Sequence, residues 1–274
     1  MPTDEAGRSF FWPDDDWPRD GALASGNVHH AGSRPRHGRE ASGPLNLLRA
    51  LSMDPEGGQH GHLADPDRAF GVQGYPPRVV PEAVQRLMSL TESLARMLGQ
   101  RVDETLEHTA RVVELAGRMA QSLNFSPDRR EALIWGARLH DIGKLAVPPE
   151  VLHKQGALNT EEWRAMRGHV EAGQAIAESL DCLPWISMCV LAQHHERWNG
   201  GGYPLGLAGD DICLEARVFA FCDVYDALTH ARSYKPAWTR GRALREIRRL
   251  TGSFFDPDLL GAFVQVVSEL PEQF

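Results

Sequence analysis

Leu139-His140-Asp141-Ile142-Gly143-Lys144 sets an imidazole beside a carboxylate, with a lysine three residues further on, a group able to bind metal and reach a phosphate at once. An imidazole nitrogen and a carboxylate oxygen suit borderline divalent metals. A carboxylate can bridge two ions, and a pair of ions activates a water at neutral pH. Gly143 is expected to end the preceding helix sharply, so that Lys144 turns back toward that water. Taken alone, a His-Asp pair at a helix end is as readily an exposed surface pair. The stretch therefore marks the candidate centre of a hydrolase site, and the rest of the chain has to supply its partners.

Working outward, Ser126-Pro127-Asp128 offers an N-cap, a first-position proline and a first-turn acid for a helix running through Leu133, Ile134 and Ala137 to His140 and Asp141. The helix before it, near residues 101 to 123, carries Glu104 and His108 four residues apart and so on one face, where either is a candidate ligand or half of a surface pair. Asn159 and Glu162 read as a capping box opening a helix that presents His169 beyond Met166. After Pro184 a helix with Ile186, Met188, Val190 and Leu191 leads to His194 and His195. These adjacent imidazoles point different ways, one toward a metal and the other toward a second metal or a substrate oxygen. Directly after them, three glycines in Glu196-Arg197-Trp198-Asn199-Gly200-Gly201-Gly202-Tyr203-Pro204 let the backbone approach a ligand, Pro204 fixes the exit, and Trp198 or Tyr203 is available to stack on a base. Without the two histidines the same segment would be an ordinary glycine-rich turn.

The helix expected over about residues 214 to 230 is apolar nearly all round, yet holds Asp223 and Asp226. A carboxylate in that setting needs a cation or strong hydrogen bonds. Asp223 is the metal candidate and Asp226 the structural one. Arg232 and Lys235 follow its end, placed to cap carbonyls or bind phosphates. Arg242, Arg245, Arg248 and Arg249 read as a solvated helix face, and Asp256-Pro257-Asp258 starts a last helix that buries Leu259, Leu260, Phe263 and Val266.

The 274 residues, 42% apolar and 24% charged, have the composition of one or two soluble globular domains. The 4 cysteines, Cys182, Cys189, Cys213 and Cys222, form no CxxC pair and are too sparse for a disulfide framework, which implies a reducing compartment. No run is long and apolar enough to span a bilayer, and Met1-Pro-Thr-Asp-Glu lacks the features of a signal peptide, so a cytoplasmic location without membrane association is expected. A net charge of -8 disfavours non-specific nucleic-acid binding, although bound metal ions reverse the field locally and leave an anionic substrate open. Residues 1–78, rich in Gly, Pro, Asp and His, are expected to be largely disordered apart from a short amphipathic stretch at Leu45–Leu51. From Pro81, Val84, Leu87, Met88, Leu94, Met97 and Leu98 recur at helical spacing. That stripe packs on the body or forms a homodimer seam.

Together, His108, His140-Asp141, His169, His194-His195 and Asp223, with Gly202-Tyr203-Pro204, resemble the HD-GYP family of cyclic di-GMP phosphodiesterases over about residues 100 to 268. Leu-His-Asp-Ile-Gly-Lys, His-His-Glu-Arg-Trp-Asn-Gly-Gly-Gly-Tyr-Pro, Asp-Val-Tyr-Asp-Ala-Leu-Thr and Phe-Asp-Pro carry the resemblance in order and spacing. Gln155 and Gly201 are mild departures that touch no ligand. The resemblance implies an all-α fold, an HD-domain helical bundle with an extra C-terminal helical part. The boundaries are a disordered region at 1–78, a linker or dimerisation helix at 79–100 and the catalytic domain at 101–270. It implies that His108, His140, Asp141, His169, His194, His195 and Asp223 bind two metals, often iron or manganese, and that Glu104 supports a third. It assigns Lys144, Arg232 and Lys235 to substrate phosphates, and Gly202, Tyr203 and Pro204 to the substrate pocket or to contacts with diguanylate cyclase-type partners. The expected reaction is hydrolysis of cyclic di-GMP to linear pGpG or GMP. In it Asp141 bridges the ions, an activated water attacks phosphorus in line with the leaving 3′ oxygen, and Lys144 holds the phosphate and stabilises or protonates the leaving group. The rivals are an HD phosphohydrolase for another nucleotide, such as cyclic GMP-AMP, and a non-catalytic binding or interaction protein. The latter would be expected to lose a ligand, and here the set is complete.

Overall fold

The computed structural model describes residues 89, 90, 93, 106–154, 156–181, 183–231 and 236–271. The N-terminal region, nearly all of the helix expected from Pro81, and Glu104, Arg232 and Lys235 lie outside the described residues. The described part is helical, with isolated bridges at Asn199–Ala208 and Thr251–Phe255 in place of strands. No helix among the described residues is long and apolar enough to cross a membrane.

Helix α1 (Leu106–Ser122) buries Val112, Leu115, Ala116, Met119 and Ala120, a stripe at spacings of three, one, three and one. It packs on α2 (Pro127–Leu139), whose start matches its sequence signature: Ser126 Oγ accepts from the Arg129 amide at 3.3 Å, with Pro127 at the first position. Helix α2 lies so close to α6 (Trp185–Gln193) that a Cβ on Gly136 would sit 2.6 Å from Val190 Cβ. Between them comes a 3-10 segment, Ile142–Ala146, seated on α5 (His169–Ser179). Gly143 has a different role from the one expected. A Cβ there would fall 1.8 Å from the His169 carbonyl oxygen, so the missing side chain is what lets the His-Asp segment lie against the backbone of α5.

Helix α3 (Pro149–Leu152) and α4 (Thr160–Arg167) share a small core of Val147, Val151 and Met166. The capping box forms as read, with Asn159 Oδ1 accepting from the Glu162 amide and Glu162 Oε2 from the Asn159 amide, at 2.9 and 2.8 Å. The helix it opens stops at Arg167, however. Gly168 caps α4 and starts α5, so His169 stands at a helix beginning, not along a continuing one.

Helix α7 (Leu214–Thr229) is the central element, packed against α1, α2, α6 and α8 (Arg240–Leu250). Its Phe221 ring lies 4.5 Å from Phe255 and 4.9 Å from Phe263 of α9 (Leu260–Glu269). All three rings are buried, each contributing roughly 1.5–3 kcal/mol by leaving water. Two ion pairs that the sequence did not reveal tie α7 down. The buried Arg129 of α2 pairs with the buried Glu215, and Arg217 Nη1 lies 2.8 Å from Asp256, whose other oxygen accepts from the Asp258 amide at 2.9 Å to start the last helical segment.

Candidate metal centre

The ends of helices bring the candidate ligands together. His140 and Asp141 leave the C-terminus of α2, His169 opens α5, and His194 and His195 leave the C-terminus of α6, while His108 and Asp223 come from the bodies of α1 and α7. Two groups result: Asp141, His169, His194 and His195, and His108, His140 and Asp223. Within each group, one ligand atom per residue lies within 4.8 Å of all the others.

Each ring is aimed by a bond on its far side. Nδ1 donates to the carbonyl three residues back in His140 (Ala137, 2.9 Å), His169 (Met166, 2.7 Å) and His194 (Leu191, 2.9 Å), which leaves Nε2 as the nitrogen turned into the centre. His108 is held differently, with its Nδ1 2.7 Å from Asp226 Oδ2. Asp226 in turn accepts from Arg111 at 2.5 and 3.1 Å and lies 3.0 Å from His230 Nδ1. Burial alone would raise the Asp226 carboxyl, but its bonds to His108, His230 and Arg111 hold it well below the usual range. Asp226 thus orients the ring of a candidate ligand, His108. Arg111 and His230 were missed. Their only sequence signal is spacing, one turn after His108 and four residues after Asp226.

Asp141 lies between the groups. Its Oδ2 is 2.9 Å from both His140 Nε2 and Lys144 Nζ, and its Oδ1 is 3.4 Å from His169 Nε2 and 4.0 Å from His194 Nε2. Oδ1 is buried and accepts no hydrogen bond from a described residue. Burial pushes the Asp141 carboxyl up, yet His140 and Lys144 pull it well below its ordinary value, so it is ionised. Burial, and then the neighbouring imidazoles, push His194 and His195 well down, so they are neutral. The Nε2 atoms of three imidazoles crowd together, with His169 Nε2 3.3 Å from that of His194 and 3.2 Å from that of His195. A buried carboxylate oxygen without a donor, facing imidazole lone pairs, is a donor set that suits divalent cations. On the other side, Asp223 Oδ1 lies 3.5 Å from His108 Nε2, with that side chain 22% exposed.

The loop after His195 is built by Glu196. Its carboxylate accepts from the amides of Leu205, Gly206 and Leu207 at 2.7, 3.1 and 3.0 Å. Gly202 passes so close to the Glu196–Arg197 backbone that a Cβ would lie 2.5 Å from it. Tyr203, considered above as a surface for a substrate base, is instead 4% exposed. It stacks on His195 with centroids 4.6 Å apart, and its amide donates to the His195 carbonyl at 3.2 Å. Gly202 and Pro204 are partly buried beside it, and Lys144 is 5% exposed against Asp141.

Residues 92–259 match the family model described as HD domain. RpfG of Xanthomonas campestris, a cyclic di-GMP phosphodiesterase response regulator, is 35% identical over 70% of this chain and 51% of its own length. The cyclic di-GMP phosphodiesterase PA4108 of Pseudomonas aeruginosa is 41% identical over 61% of this chain and 40% of its own. The 3'3'-cGAMP-specific phosphodiesterase 2 of Vibrio cholerae is 35% identical over 67% and 37%. The chain spans about half or less of the length of these curated relatives. Among solved structures, Bd1817, an HDG"Y"P protein from Bdellovibrio bacteriovorus, has a similar fold, with a TM-score of 0.50 at 19% identity over 68% of this chain and 60% of that one.

Proposed function

We propose, since this chain belongs to the HD domain family, that it is a metal-dependent phosphodiesterase that hydrolyses cyclic di-GMP to linear pGpG, GMP or both. The observation that carries this reading is the Asp141 carboxylate set between two groups of imidazole and carboxylate donors, with Lys144 bonded to it at 2.9 Å. Relatives named as cyclic di-GMP phosphodiesterases, 33 to 41% identical, support the substrate.

His169, His194 and His195 would hold one divalent ion, His108, His140 and Asp223 another, and Asp141 would reach both. Bound there, the ions would lower the pKa of a water and offset phosphate charge, and iron or manganese is the expected identity. Asp226 and the helix-end carbonyls orient the imidazoles. Lys144, buried and bonded to Asp141, would help hold the scissile phosphate and stabilise or protonate the leaving 3′ oxygen. Arg232 and Lys235 are assigned to the substrate phosphates and Glu104 to a third ion. The loop at Gly202, Tyr203 and Pro204 is assigned to the pocket wall and to protein partners of the diguanylate cyclase type. We assign the catalytic domain to residues 101–270, the linker or homodimer helix to 79–100 and a cytoplasmic location to the whole.

Incubating anaerobically purified, metal-loaded protein with cyclic di-GMP and separating the products tests this. Linear pGpG or GMP is expected, and intact substrate beside a full complement of metal overturns it. The relatives named for 3'3'-cGAMP favour one second reading, hydrolysis of the mixed dinucleotide. The same assay run on both substrates decides between them.

A further inference from the structure

We propose that Phe219 is a positioning residue for the metal centre, a rigid wedge that fixes His140 against His194 and so sets the distance between the two metal positions. This role rests on the two-metal reading above, and Phe219 itself stands outside the donor set. The Phe219 ring is fully buried in α7, its centroid 4.9 Å from that of His140 and 6.3 Å from that of His194. Those two imidazoles also meet each other edge to face, with centroids 5.4 Å apart and planes at 80°. His140 belongs to one donor group and His194 to the other, so the three rings form a contact between the groups that does not pass through Asp141.

Phe219, Asp223 and Asp226 follow one another in α7 at spacings of four and three, so the helix presents all three on one side, toward the donors. Phe221, two residues further on, points the other way and packs on Phe255 and Phe263. The bonds from Nδ1 of His140 and His194 to carbonyl oxygens fix which nitrogen faces the centre, but they do little to stop either ring tilting about that bond. A planar ring packed against both imidazoles opposes the tilt. A flexible side chain of similar bulk would fill the space without defining a plane. Because interiors are close-packed, a shift of one imidazole in this cluster is passed to the other.

The test is titration of the metal-stripped full chain with Mn(II), in wild type, Phe219→Leu, Phe219→Met and Phe221→Leu, followed by electron paramagnetic resonance, which counts free Mn(II) and records spin coupling between bound ions. Wild type is expected to take up at least two ions per chain and to give a spin-coupled spectrum. Both Phe219 variants are expected to bind the second ion about tenfold or more weakly and to change that spectrum. Phe221→Leu removes the same atoms from the same core, so it is expected to lower the melting temperature as Phe219→Leu does while leaving affinity and spectrum as in wild type. Should Phe219→Leu fail to fold, Phe219→Met, an unbranched chain able to fill the gap, decides the outcome. The proposal is overturned if a folded Phe219 variant keeps the wild-type affinity and spectrum, or if Phe221→Leu shifts them as far. Failure of the two-metal reading looks different: wild type itself takes up fewer than two ions, and the proposal falls with it.

Discussion

Asp226 Oδ2 sits 2.7 Å from His108 Nδ1, and Arg111 donates to both oxygens of that carboxylate, so the ring of His108 is fixed by an ion pair that bridges α1 and α7. Asp226→Asn keeps the shape but weakens the acceptor and the charge. It is expected to lower metal affinity about 10- to 100-fold with little loss of helix content, measured by chelator competition and circular dichroism. Unchanged affinity would assign Asp226 to packing alone.

His140→Ala and Asp141→Ala each remove a candidate ligand and leave the aromatic core around Phe221 intact. Both should abolish cyclic di-GMP hydrolysis in a protein that still melts cooperatively. Activity retained in both would reject the metal centre.

Gly143→Ala should damage fold and site together, since its Cβ would meet backbone at 1.8 Å with no side chain able to yield. A loss of about 1–3 kcal/mol or more is expected in denaturant melts. Gly261→Ala is the control. It is exposed in α9 with nothing within 4 Å of the added carbon, and should gain about 0.5–1 kcal/mol.

Removing one member of the Arg129–Glu215 pair leaves a buried charge alone. Arg129→Ala should cost about 3–5 kcal/mol, while the double change Arg129→Met with Glu215→Leu should recover most of it. Equal stability of single and double variants would show that the pair is screened by water.

Glu104→Gln tests the third ion assigned from sequence. Its amide oxygen is a poorer ligand than a carboxylate, so elemental analysis should find about one metal fewer per chain with the others kept. The same stoichiometry in both proteins would make Glu104 a surface residue.

The helices were legible because their signals are local: the Ser126 cap, the Asn159–Glu162 box and the apolar stripe of α1 depend on neighbours a turn away. His140, Asp141, His169, His194 and His195 were legible as candidates because they stand at helix ends in short motifs, whereas His108 and Asp223 lie in the bodies of α1 and α7. What stayed hidden depends on partners far along the chain. The need for a glycine at 143 comes from the backbone of α5, the environment of Tyr203 from His195 and Arg167, and the role of Arg111 from a carboxylate on α7. A sequence shows that Asp226 needs a partner, but the fold decides which one.

A single carboxylate, Asp141, serves both donor groups, with one oxygen toward each. Cations held at the two positions would therefore not be independent. A first ion held there would restrict the Asp141 side chain and favour an oxygen for a second, while adding a positive charge that the second would have to approach. Ordering and repulsion oppose each other through one side chain, and whichever is larger sets the sign of the cooperativity. By reciprocity, the coupling is the same whichever position fills first.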